Sequence, residues 1–147
     1  MSLQKQIMED LKAAMRAKDL PTRDALRMLK TALTEAEIKK GGALEPSEEL
    51  AVVQRAVKTR RESMAQYAEG GRPDLADKER SEIVALEKYL PEQMSEEEAR
   101  AAVEAIASEL GLTEKNQMGA LMQAVMARHR GVIDGKLASK IATTVLR

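Results

Sequence analysis

PSEELAVVQRAVKTRRESMAQYAEGGRPDLADKERSEIVALEKYLP, residues 46 to 91, is the stretch on which the fold is decided. Leu50, Val53, Val57, Met64 and then Tyr67 or Ala68 fall on one stripe before Gly70-Gly71. Leu75, Ile83, Leu86 and Leu90 resume it after Pro73-Asp74 and stop before Pro91. Apolar residues recurring three and four positions apart are the signature of an amphipathic helix. Ser47 is the expected N-cap of the first helix, with Glu48 and Glu49 well placed against its dipole. Two long helices joined by Glu69-Gly70-Gly71-Arg72-Pro73-Asp74 predict an antiparallel hairpin. Arg60-Arg61-Glu62-Ser63 interrupts the apolar stripe in mid-helix. The expectation is that Arg60 pairs across the hairpin with Glu79 or Glu82 and keeps its charge wet above an apolar stem.

The same spacing extends in both directions. Leu3, Ile7, Leu11 and Met15 lie on one face of a first helix, broken at Asp19-Leu20-Pro21-Thr22. Pro21 suits the first turn of a second helix, which carries Leu26, Leu29, Leu33 and Ile38 inward and ends at Gly41-Gly42. Beyond Pro91, Ser95 followed by Glu98 forms a capping box for a fifth helix through Val103, Ile106 and Leu110 to Gly111. Thr113 is read as the cap of a sixth helix running over Met118 to Arg130, and Asp134 as the cap of a seventh. Nowhere do β-branched residues alternate as in a strand. The expected fold is all-α: an N-terminal helical domain, residues 1–91, with a long hairpin, and a small C-terminal three-helix domain, residues 92–147.

Composition agrees with a helical core. Of 147 residues, 44% are hydrophobic and 33% charged, so one or two small domains can close around Leu, Met, Ala and Val. There are two Tyr and no Phe or Trp, which argues against the aromatic platforms on which single-stranded bases stack. With no cysteine, the chain has no disulfide, thiolate nucleophile or thiolate zinc site. No apolar run is long enough to span a membrane and no secretory signal is visible, so the expected location is the cytoplasm, away from membranes.

Net charge is zero, but the charges are not evenly spread. Residues 92–114 hold seven acids and one base, a net −6, whereas 115–147 hold six bases and one acid, a net +5. The six bases are Lys115, Arg128, Arg130, Lys136, Lys140 and Arg147, and they are the candidate nucleic-acid-binding residues. The ordinary account of the same pattern stays open beside this one. Arg128 and Arg130 sit where a helix dipole favours cations, and the acidic fifth helix can pair with its basic neighbours.

Catalytic chemistry is harder to find. His129 is the single histidine, it stands between two arginines, and no Gly-x-Ser-x-Gly elbow is present. Gly70-Gly71-Arg72 lacks the Gly-Lys-Ser/Thr ending of a phosphate loop and reads as a turn. Met118, Met122 and Met126 share a helix face and read as core. No catalytic residue, metal ligand or cofactor is expected.

Several of these runs have a familiar look when taken together. Lys58-Thr59-Arg60-Arg61-Glu62-Ser63, Gly70-Gly71-Arg72-Pro73-Asp74-Leu75-Ala76, Glu79, Tyr89-Leu90-Pro91 and Gln93-Met94-Ser95 resemble the YqeY-like proteins. Met118-Gly119, Met122, Val125-Met126 and Gly131-x-x-Asp134-Gly135 carry the resemblance onward. The wider GatB/YqeY family includes the tail of the B subunit of the glutamine-dependent tRNA amidotransferase. The resemblance implies a C-terminal domain similar to that tail, which contacts tRNA, without the domains that transfer the amide. A family label of carbon–nitrogen ligase with glutamine as amido-N-donor is therefore one that these residues do not support by themselves.

Two functions follow as expectations. In the first, a non-catalytic helical protein binds tRNA, or a tRNA–enzyme complex with a protein partner in aminoacylation or amidation, through its C-terminal domain. In the second, the hairpin of residues 47–90 is a protein-interaction adaptor that offers a groove to a partner with no RNA contact, the partner reading Arg60, Arg61, Arg72 and Tyr89.

Overall fold

The computed structural model describes residues 2–147, and among these it is all-helical, with seven α-helices and no strand. The chain forms two compact units, one ending at Leu90 and the other running from Pro91 to Arg147.

The first unit contains α1 (Leu3–Arg16), α2 (Leu20–Lys40), α3 (Pro46–Glu69) and α4 (Pro73–Glu87). Its core gathers Ile7, Leu11, Leu26, Leu29, Leu33, Val53, Val57, Ile83 and Leu86. The helices start where local chemistry favours it. Ser2 caps α1 by accepting from the Lys5 amide at 3.2 Å. Asp19 caps α2 by accepting from the Thr22 amide at 3.3 Å and from its hydroxyl at 2.7 Å, with Pro21 in the first turn. Gly41 ends α2 in the left-handed region at φ 84°, which a residue with a side chain rarely adopts. As predicted, α3 and α4 form the hairpin, and α4 packs against both α3 and α2.

Some expectations are corrected. The N-cap of α3 is Glu45, not Ser47. Pro46 takes the first helical position, and the Glu48 carboxylate reaches back to the Glu45 amide at 2.9 Å. Met15, Ile38 and Leu110 face solvent, Ile38 with 75% exposure. Each lies near the end of its helix, where a periodic stripe runs past the core it serves. Arg60 does pair with Glu82, its Nε donating at 3.1 Å, but the charge is not wet: Arg60 is 8% and Glu82 4% exposed. Burial is tolerated because each ion meets its opposite within hydrogen-bond distance.

The second unit contains α5 (Glu96–Leu110), a 3-10 turn (Lys115–Gln117), α6 (Met118–His129) and α7 (Gly135–Val145). Ser95 and Glu98 form the predicted capping box at the start of α5, and Asp134 caps α7 by accepting from the Leu137 amide at 3.3 Å. Thr113 does not cap α6. The 3-10 turn intervenes, and the Gln117 side chain accepts from the Thr113 and Glu114 amides at 2.9 and 3.0 Å. Val103, Ile106, Leu121, Val125, Ile133, Ile141 and Leu146 make the core, with Met118, Met122 and Met126 packed partly buried against it.

Candidate nucleic-acid interface

The turn between α6 and α7 places most of the predicted cations. Arg130 ends α6 by switching to extended backbone at φ −58°, ψ 133°. Gly131 follows at φ 86° and reverses the chain. The His129 carbonyl accepts from the amides of both Val132 and Ile133 at 3.1 Å, and Ile133 is sunk into the core. The turn is also held from the segment before α5. Gln93 Nε2 donates to the Gly131 carbonyl at 2.7 Å, and the Met94 amide to the Val132 carbonyl at 2.8 Å. An apolar plug and these bonds therefore fix the start of α7.

Along α7, Ala138, Ile141 and Ala142 are buried, and Leu137 and Val145 are partly buried against the same core. At about 100° per residue, Lys136, Lys140 and Thr143 fall on the opposite side, and all three are exposed. The two lysines stand one turn apart, about 6 Å along the axis. From Gly135 to Val145 there is no acidic residue to neutralise them.

The other four predicted residues are exposed as well but lie in different settings. Arg128 is engaged. Its Nη1 and Nη2 donate to the two carboxylate oxygens of Glu109 on α5 at 2.6 and 3.0 Å, a bidentate pair. That bond holds the Glu109 carboxyl below its usual range and raises Arg128 above its own. Arg130 projects from the turn. Lys115 and Arg147 are brought together by the backbone: the Lys115 amide donates to the Arg147 carbonyl at 3.1 Å, and the Arg147 amide to the Thr113 carbonyl at 2.7 Å. The six residues therefore make a lysine pair on α7, a Lys115–Arg147 pair, one turn arginine and one arginine tied to Glu109. Glu109 was not singled out by sequence reasoning, which allowed for pairing between the acidic fifth helix and its neighbours without naming a partner.

The polar residues considered for a protein partner bond within their own unit. Arg61 pairs with Glu87 across the hairpin, and Arg72 with Asp74 at 3.1 Å. Tyr89 donates its hydroxyl to Asp10; burial first, and then that carboxylate, push the phenol well above its ordinary value. His129 is half-buried. Among the described residues no group of three or more His, Cys, Asp or Glu side chains could hold a metal ion, and no helix is long and apolar enough to cross a membrane.

The family model described as Yqey-like protein matches residues 4–146, nearly the whole chain. The chain belongs to the YqeY-like family. A comparison with curated proteins finds no match. All seven helices of this YqeY-like chain but the first residue of α1 thus fall inside one family model, the basic face of α7 included.

Proposed function

We propose that this YqeY-like chain is a non-catalytic helical protein that contacts tRNA, alone or carried by an enzyme, through the phosphate backbone. The observation that carries the reading is the outward face of α7, where Lys136 and Lys140 stand opposite the buried side with no acid in the helix. A pair of lysines a turn apart on a rigid helix offers two point charges to successive anionic groups. Arg130, Lys115 and Arg147 extend the positive surface, while Arg128 contributes least because Glu109 already occupies its donors. Both tyrosines lie in the first unit, so the second recognises RNA by charge and shape and not by stacking. The similarity of the C-terminal domain to an amidotransferase tail supports the choice of tRNA.

The test is binding of labelled tRNA to the full chain as salt is varied. Each phosphate contact removed lowers the log–log salt slope by about one unit. Lys136→Ala with Lys140→Ala is expected to flatten the slope by about two and weaken binding across all sequences. Arg128→Ala leaves the slope in place. Absence of binding at low salt, or an unchanged slope in the double variant, sinks the RNA reading. Ammonia release from glutamine by the purified chain would overturn the non-catalytic half.

A further inference from the structure

Between α2 and α3 runs an open groove of about 540 Å³. It exists because the facing side chains are small: Ala32 and Ala36 on one wall, Ala51, Val52 and Ala56 on the other. Its α2 side runs from Met28 to Lys39, about 16 Å at 1.5 Å per residue, or three helical turns. Met28, 59% exposed, adds a flexible thioether suited to an adaptable apolar contact.

Three basic residues line the groove. Arg60 lies at the Met28 end, Lys39 on the last turn of α2, and Arg55 between them on α3, with Glu35 the one carboxylate. Arg60 is more than nine-tenths buried, yet its guanidinium is not saturated by strong acceptors. Nε is taken by Glu82, Nη1 reaches the Ala56 carbonyl at a long 3.4 Å, and Nη2 meets the Met28 sulfur at 3.2 Å. A thioether is a weak acceptor, so a carboxylate arriving beside Met28 makes the better partner for that edge.

Both walls are helices whose backbone bonds are internal. An extended peptide laid between them gains no main-chain partner, so an occupant that excludes water has to satisfy its own backbone, as a helix does. We infer that the α2–α3 groove is a docking site for about three turns of an amphipathic helix from a partner protein, its apolar stripe flanked by acidic side chains. This surface is separate from the α7 face and does not depend on RNA binding.

The test uses the full chain and two labelled helical peptides with the same leucine stripe, one flanked by glutamates and the other by lysines, followed by fluorescence anisotropy. The glutamate peptide is expected to bind saturably and the lysine peptide at least about tenfold more weakly. Ala56→Leu fills the groove and abolishes binding. Arg55→Glu, at an exposed position where the fold is retained, removes the preference for the acidic peptide. Circular dichroism of both variants confirms that they fold. No saturable binding of the glutamate peptide, equal affinity for both peptides, or binding that survives Ala56→Leu and Arg55→Glu overturns the proposal. Saturable uptake of dodecanoate that neither peptide displaces also overturns it, in favour of a small anionic amphiphile.

Discussion

In the first unit an ion pair lies inside the fold, Arg60 against Glu82, on the two helices that also carry the buried Val53, Val57, Ile83 and Leu86. In the second, no charged side chain is buried among the described residues, and the cations of α6, α7 and the turn between them are held outside a core of Leu, Val, Ile and Ala. A charge placed inside must be answered by its own chain, as Glu82 answers Arg60 at Nε, and only the Arg60 edge beside Met28 is left to a partner. A charge left outside, with no carboxylate within reach, keeps its interactions for something else. Arg128 shows that exposure alone does not make a cation available, because Glu109 has already claimed it.

The contrast breaks most visibly at the buried pair. Arg60→Ala or Glu82→Ala leaves one ion buried without its partner and is expected to destabilise the chain by about 3–5 kcal/mol in urea unfolding. Arg60→Met with Glu82→Leu removes both charges at similar volume and is expected to leave stability unchanged or raised. If the double variant is as unstable as either single one, the ion pair does more than neutralise itself.

The second unit has no such pair, so its weak point is packing. Leu121, fully buried, loses about 2–5 kcal/mol on replacement by Ala. Because Arg60 and Leu121 belong to different compact units, the two losses are expected to add within about 0.5 kcal/mol. Marked non-additivity in the combined variant would mean that the cores are energetically coupled.

Tyr89 gives a smaller effect. Removing its hydroxyl takes a donor from the Asp10 carboxylate, and Tyr89→Phe is expected to lose about 1.5–3 kcal/mol. The phenol is raised in the folded state, so its contribution is complete below the ordinary tyrosine value near 10 and is lost as pH climbs through the folded one. With Tyr67→Phe as background, absorbance titration of Tyr89 is expected to begin well above that ordinary value. A midpoint close to it contradicts the hydrogen bond.

The smallest effect belongs to Arg128→Ala, where both partners are solvent-exposed and the unfolding midpoint at neutral pH should barely move. Glu109 is lowered in the folded state, so whatever the pair contributes is present above the ordinary glutamate range and is lost as pH falls from there through the lower folded value. A large loss at neutral pH would show that the pair holds α5 to α6.

Much of this was legible in the sequence because it is local. The caps at Ser95 and Asp134, the Pro at the start of α2, and the stripes of Val53–Val57 and Ile83–Leu86 each depend on residues a few positions apart. The burial of Arg60 was not, since it rests on Glu82, 22 residues away, meeting it only once the hairpin closes. Pairing of the acidic fifth helix with its basic neighbours was open in the sequence, but the partner of Arg128 could not be named, since Glu109 lies 19 residues away. The α2–α3 groove is harder still to foresee. Ala32, Ala36, Ala51 and Ala56 read as ordinary helix formers, and a gap is defined by what two helices lack when they are brought side by side.

The two backbone bonds between Thr113, Lys115 and Arg147 tie a neck around everything from the 3-10 turn through α6 to the end of α7. Topologically that segment is a closed loop, fastened where it begins and where it ends. Its opening is then a single event, in which the amides of Lys115 and Arg147 lose their protection against solvent exchange together. Anything that joins the exposed Lys115 and Arg147 side chains therefore acts as a clasp on the fold itself.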